Sequence, residues 1–165
     1  MKRIIAALSL VFFISVALTA CNIDKKSEMP HINLNFNISN LTDEEFQSVG
    51  TKGLENAKKD DFKNIEFTLH VEYSSKISKG TITVPDIEKT LHDKGIFLFG
   101  QSDKQDNPSE TFANYEKKYV LFCRGLYEQA IRNILNSLEV KVSWKTSWGE
   151  NKERVFNLGE IIKFK

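Results

Sequence analysis

The clearest grouping of titratable side chains lies in the stretch 65–73, which reads IEFTLHVEY. In an extended strand, His70 shares one face with Glu66, Thr68 and Glu72, because side chains at alternate positions point to the same side. An imidazole and two carboxylates are groups that a metal ion or an acid–base reaction would use. Alternate positions are ~6.5 Å apart along a strand, so a single ion would need a ligand from another element. We therefore expect a solvated outer face, with no metal site.

The second candidate is Cys123, at the end of the apolar run KYVLFC. A catalytic thiol needs a nearby histidine and a polarising environment. His31, His70 and His92 show no recognisable spacing toward Cys123, so we expect a buried structural thiol and predict no catalytic residue.

The polar stretch Gly100–Lys118 is predicted to be one long irregular connection, and such connections are either functional or disordered. Asp103, Asp106 and Glu110 are residue types that bind calcium, but the spacing and central glycine of a calcium loop are missing. We expect a mobile surface loop, with a binding loop as the alternative.

Trp148 precedes Gly149 at an expected hairpin end, where an exposed aromatic ring would contact a partner or a sugar. Trp148 is an even number of residues from Trp144, so both side chains could point to the same face of a strand. This leaves open the alternative that both tryptophans lie in the core. The predicted binding surface therefore consists of Trp148, Asp103, Asp106 and Glu110.

Most of the secondary structure predicted around these residues is β-strand. Residues 31–38 and 65–73 alternate strictly between apolar and polar side chains, which is typical of half-buried antiparallel strands. Shorter strands are expected at 80–84, 96–99, 118–123, 140–144, 155–158 and 160–164.

Helical signals are fewer. Thr42 and Glu45 form a capping-box pattern, Asp86 and Gly95 bound a second short helix, and residues 126–138 form the best amphipathic pattern. In that last helix an apolar stripe is expected, made of Tyr127, Ile131, Ile134, Leu135 and Leu138. The chain is predicted to be mainly β, an antiparallel β-sandwich with two or three short helices and an immunoglobulin-like arrangement as one form of it. An α+β sheet with one main helix is the alternative.

Composition limits the number of domains and the kinds of partner that we expect for this chain. The chain has 165 residues, 41% hydrophobic and 27% charged, which fits one globular domain. The formal net charge of +1 comes without a basic block, so we expect no nucleic-acid partner.

The amino terminus is typical of a secretory signal. Lys2 and Arg3 precede the apolar run Ile4–Leu18, and the small residues Thr19 and Ala20 follow it. The run is shorter than the ~20 apolar residues that a membrane-spanning helix needs.

The four residues LTAC, Leu18 to Cys21, resemble the lipobox of bacterial lipoproteins. The resemblance implies that the Cys21 sulfur receives diacylglycerol and that cleavage falls between Ala20 and Cys21. Acyl chains such as palmitate, two or more together, hold a protein stably to a bilayer. The implied location is the extracytoplasmic face of the cell membrane, with the lipid on Cys21 and no other cofactor. The alternative is an ordinary signal in which Cys21 is incidental.

These observations predict a signal peptide over 1–20, a tether over 21–30 and a single globular domain over 31–165. The predicted function is a membrane-anchored, non-catalytic binding or interaction module of the bacterial envelope, with an envelope protein or a glycan as its partner. One alternative is a small envelope enzyme that uses His70 and the Gly100–Lys118 stretch. Another is an immunity or regulatory lipoprotein that acts on a membrane partner.

Overall fold

The structure is a computed structural model that describes residues 28–106 and 111–165, with the backbone alone for residues 78, 79, 105 and 106. The predicted signal peptide, the Ala20–Cys21 cleavage site, most of the predicted tether and Glu110 lie outside the described residues.

Eight strands and four α-helices make up the described part of the chain. The strands are β1 His31–Asn40, β2 Phe62–Glu72, β3 Ile77–Thr83, β4 Phe97–Asp106, β5 Phe112–Phe122, β6 Glu139–Thr146, β7 Asn151–Asn157 and β8 Lys163–Phe164. The helices are α1 Asp43–Ser48, α2 Ile87–Asp93, α3 Glu128–Leu135 and α4 Leu158–Ile161, and a 3₁₀ turn covers Lys59–Asp61.

The strands form two sheets. The five-stranded sheet has the order β4-β5-β2-β1-β8, and the three-stranded sheet has the order β3-β6-β7. All pairings are antiparallel except the short one between β1 and β8, which is parallel. Strand β5 is internal, as expected for a segment that is apolar on both faces.

One apolar core joins the two sheets and helices α2, α3 and α4. Alternate side chains of β1, β2 and β5 point inward, as do those of β6, and α2 and α3 add further apolar groups. The core includes Phe36, Phe67, Leu69, Tyr119, Leu91, Leu135, Val142 and Trp144. The chain is therefore mainly β and sandwich-like, with short helices, as its sequence predicts.

The expectation of a long irregular connection over Gly100–Lys118 is wrong. Strand β4 continues to Asp106 and β5 begins at Phe112, and the two pair in register, with Asp103 opposite Glu116. The polar composition suggested a loop, but β4 is an edge strand and one face of this hairpin is exposed. Polar residues are therefore compatible with a strand at these positions.

The predicted caps are confirmed. Thr42 and Glu45 form a capping box, and Asp86 accepts a hydrogen bond from the backbone N–H of Lys89. Gly95 ends the second helix region with φ +67°, a conformation that glycine adopts without a steric cost.

Two other expectations about helices need correction. Helix α3 is shorter than 126–138, because Tyr127 has extended backbone and caps the helix, and its ring is 69% exposed instead of joining the apolar stripe. Helix α4 replaces the start of the predicted strand at 160–164, because the Asn157 side chain accepts from the N–H of Glu160 and begins a helical turn. No helix in the two described ranges is long and apolar enough to cross a membrane.

The outward face of the five-stranded sheet is divided into two halves. At one end, a second apolar cluster of Leu41, Val49 and Phe62 is covered by α1 and the segment that follows it. Val120 and Phe122 of β5 pack against this cluster from the same face of the sheet. Toward the other end the outward positions become polar, and this half forms the cleft described next.

Candidate functional site: a polar cleft on the five-stranded sheet

The cleft is built by strand register. Asn33 of β1 lies opposite His70 of β2, and His70 lies opposite Asn114 of β5. The neighbouring rung on the same face aligns Asn35, Thr68, Glu116 and Asp103 across four strands. Because side chains alternate, the apolar residues between these positions enter the core and fix the polar ones outward.

The cleft has a volume of about 310 Å³. Amide, hydroxyl, imidazole and carboxylate groups dominate its lining, which consists of Asn33, Asn35, Thr68, His70, Asp103, Asn114 and Glu116, together with Leu69 and Tyr115 from the adjoining inward positions. These groups are hydrogen-bond donors and acceptors on the outward face of the sheet, an arrangement suited to a polar ligand.

Two hydrogen bonds order side chains within the cleft. His70 Nδ1 and Asn114 Oδ1 are 2.5 Å apart, and because an amide oxygen only accepts, Nδ1 is the donor. In the neutral imidazole, Nε2 is then a hydrogen-bond acceptor. Asn35 donates through Nδ2 to Asn33 Oδ1 at 3.2 Å.

An aromatic ring flanks the polar groups. The rings of Phe112 and His70 are stacked, with centroids 6.3 Å apart and planes 28° from parallel. Phe112 is on the outward face of β5, two positions before Asn114. Phe112 therefore packs beside His70 at the edge of the cleft and is not one of its lining residues.

The charges of this face are mixed. Asp103 and Glu116 are directly opposed across β4 and β5, and Lys118 Nζ lies 3.3 Å from Glu116 Oε1 and 4.0 Å from Glu66 Oε1. These side chains are more than half exposed, so the ion pairs add little stability. The carboxylates instead supply hydrogen-bond acceptors at one side of the cleft.

The residues of the predicted binding surface do not form a single site. Asp103 lines the cleft, Asp106 ends β4 with an undescribed side chain, and Glu110 lies outside the described residues. Trp148 belongs to the β6–β7 hairpin of the other sheet and is 84% exposed, whereas Trp144 is 6% exposed. The alternative in which both tryptophans lie in the core is therefore wrong.

Cys123 is a buried free thiol. Burial raises its pKa to about 11, with a small opposing effect from the charge of Lys63. A thiol with so high a pKa is protonated at neutral pH and is a poor nucleophile. Cys123 is thus buried, as its sequence environment predicts.

Within residues 28–106 and 111–165, no group of three or more His, Cys, Asp or Glu side chains is arranged to hold a metal ion. His70 points outward, as the alternation predicts, and its described polar contact is an amide.

The alternation of apolar and polar side chains did not single out Asn33, Asn35 or Asn114 as site residues. A signal was available, since asparagine is depleted in strands and β1 places three of them on one face. What the sequence did not indicate is which strands lie beside β1 and β2.

The chain matches no protein-family model, no curated protein and no solved structure.

Proposed function

We propose that this protein is a lipid-anchored binding module of the bacterial envelope and that the polar cleft is its ligand site. The anchor is argued from the lipobox-like residues LTAC, and the observation that supports the ligand site is the in-register polar rung Asn33–His70–Asn114. Binding without catalysis remains the function these features support best.

The ligand class follows from the groups that line the cleft. Side-chain amides and carboxylates make paired hydrogen bonds to neighbouring hydroxyl groups, such as those of a sugar. Protein–protein hot spots are instead enriched in tryptophan, tyrosine and arginine. We therefore propose a glycan of the cell envelope as the ligand.

Position relative to the anchor supports the same proposal. Asn33 is the fifth residue after Glu28, the first described residue, so the two are separated by at most ~17 Å of chain. The chain from Cys21 to Glu28 spans at most about 25 Å when fully extended. A ligand in the cleft would lie within a few nanometres of the bilayer, where envelope glycans begin.

Calorimetric titration of the lipidated protein in detergent tests the proposal. The probes are soluble peptidoglycan fragments and N-acetylglucosamine oligomers. We expect at least one probe to bind and Asn33→Ala to weaken its binding about tenfold, the effect of ~1.4 kcal/mol. Thr81→Ala, at an exposed position of β3 in the other sheet, is the matched control and should bind like the wild type.

Two results would contradict the proposal. One is the absence of binding to every probe, and the other is equal loss of binding in Asn33→Ala and Thr81→Ala. Hydrolysis of the fragments during the titration would instead favour the small envelope enzyme.

A further inference from the structure

Trp148 is the most exposed large apolar side chain in the described part of the chain, at 84%. It lies in the turn between β6 and β7, at one end of the three-stranded sheet. Tryptophan is highly buried on average and its ring has an apolar body with a polar N–H, so an indole exposed to this extent is a candidate contact residue.

Hydrogen bonds hold the backbone of this turn in place. The N–H of Thr146 donates to the Glu150 carbonyl at 2.9 Å, and the N–H of Glu150 donates to Thr146 Oγ1 at 3.1 Å. Gly149 has φ +85° and donates to the Thr146 carbonyl at 3.0 Å. The backbone on both sides of Trp148 is therefore tied to a buried threonine, Thr146.

The beginning of the described chain lies at this same turn. Ser147 Oγ donates to Glu28 Oε1 at 2.7 Å, a contact between residues 119 positions apart. Met29, itself 53% exposed, lines a cavity with Trp144, Thr146 and Glu150. The hairpin tip is thus the part of the described domain from which the chain leads back toward Cys21.

We propose that Trp148 inserts into the headgroup region of the membrane that holds the lipid anchor, so that the β6–β7 hairpin orients the domain on the bilayer. This inference rests on the proposed lipidation of Cys21. Glu28 is the seventh residue after Cys21, so the hairpin is held within ~25 Å of the acylated sulfur. Tryptophan is the residue type enriched at the membrane–water interface, because its ring is apolar and its N–H is polar.

The charges around the hairpin are mixed. Lys152 Nζ is 2.8 Å from Glu150 Oε2, so this pair presents no net charge to the headgroups, and Glu28, whose Oε1 accepts from Ser147 Oγ, adds one carboxylate beside the turn. Ser147 and Gly149 flank the indole with small side chains, which lets the ring reach the bilayer ahead of the backbone.

The test uses the two tryptophans of the chain as probe and internal reference. The processed, lipidated protein is reconstituted into vesicles of phosphatidylethanolamine and phosphatidylglycerol, with or without brominated acyl chains. The wild type is compared with Trp148→Phe, a substitution at an exposed position that leaves the core unchanged. We expect Trp148 to contribute blue-shifted emission that bromolipid quenches at least threefold more than the emission of buried Trp144.

A second variant, Trp144→Phe, isolates the Trp148 signal directly and should show the same quenching. Emission of Trp148 that bromolipid leaves unquenched, in protein that floats with the vesicles, would overturn the inference and assign the indole to a protein or glycan contact. Protein that stays in solution and lacks diacylglycerol on Cys21 would refute the lipid anchor itself and the Trp148 inference with it. Mass spectrometry of the amino-terminal peptide separates the two failures.

Discussion

His70 and Asn114 are joined across β2 and β5 by a hydrogen bond from Nδ1 to Oδ1, and this pair forms the floor of the polar cleft. The bond fixes which imidazole nitrogen carries the proton, and it presents the other nitrogen as an acceptor when the ring is neutral. A binding site arranged in advance by its own hydrogen bonds loses less entropy when the ligand arrives.

A double-mutant cycle on this pair should show energetic coupling. His70→Ala and Asn114→Ala are each expected to lower the free energy of unfolding by about 1 kcal/mol, because each leaves a half-buried polar group without its partner. The double variant should be less destabilised than the sum by about 1 kcal/mol. Urea unfolding measures all four proteins, and additivity within about 0.3 kcal/mol would show that the hydrogen bond contributes nothing.

Replacement of Cys21 should abolish the lipid anchor. In Cys21→Ala cells the protein is expected to remain unprocessed or to be released, because the acyl chains that hold it are absent. Cys123→Ala is the matched control, since it removes the other cysteine and should leave the protein in the membrane fraction. Mass spectrometry of the wild-type amino-terminal peptide should find diacylglycerol on Cys21, and an unmodified Cys21 would refute the anchor.

Gly100 of β4 should tolerate no side chain. A Cβ at this position would lie 2.2 Å from Tyr119 Cδ1 and 2.6 Å from the Lys118 carbonyl oxygen. The backbone oxygen has no room to move within the ladder, so Gly100→Ala is expected to cost about 1–3 kcal/mol of unfolding free energy. Ser102→Ala, two residues further along the same strand, is the control and should change stability by less than about 0.5 kcal/mol. Equal stability of the two variants would disprove the close packing of Tyr119 on Gly100.

Stability should fall in alkaline solution because of two buried acids. Burial raises the pKa of Cys123 to about 11 and that of Tyr119 to about 12, and the negative charges of Glu88 and Asp86 add to the effect on Tyr119. Both folded-state pKa values are above those of the unfolded chain, near 8.5 and 10, so the folded state binds these protons more tightly. Their contribution to stability is complete below about pH 8.5 and is lost as pH rises toward 12.

Two variants separate these contributions in urea unfolding measured across the alkaline range. Cys123→Ala should flatten the decline that begins near pH 8.5, and Tyr119→Phe should flatten the decline that begins near pH 10. At neutral pH, Tyr119→Phe should be close to neutral or stabilising, because the Tyr119 hydroxyl is buried without a hydrogen-bond partner among the described residues. An unchanged alkaline decline in both variants would show that other groups cause it.

The sequence predicted the sandwich class because alternation in β1 and β2 was strict. Phe67, Leu69 and Val71 are buried and His70 points outward, as the two-residue period requires. The helix N-caps at Thr42 and Asp86 could also be predicted from the sequence, because a cap depends on a few neighbouring residues.

The cleft was not predictable, because it depends on pairing between distant segments. Asn33, His70 and Asn114 become neighbours only when β1, β2 and β5 align, and alternation does not specify which strands pair. The polar edge strand β4 resembled a loop for a related reason, since only one of its edges is paired.

Site-specific photocrosslinking in intact cells tests whether the polar cleft binds a glycan of the cell envelope. A benzophenone amino acid replaces Asn35, which lines the cleft, or Thr81, which is exposed on β3 of the other sheet. We expect the protein labelled at position 35 to acquire a light-dependent adduct whose mass contains sugar residues, and the protein labelled at position 81 to acquire none. An adduct at position 35 made only of protein, equal adducts at the two positions, or no adduct at position 35 would contradict this expectation.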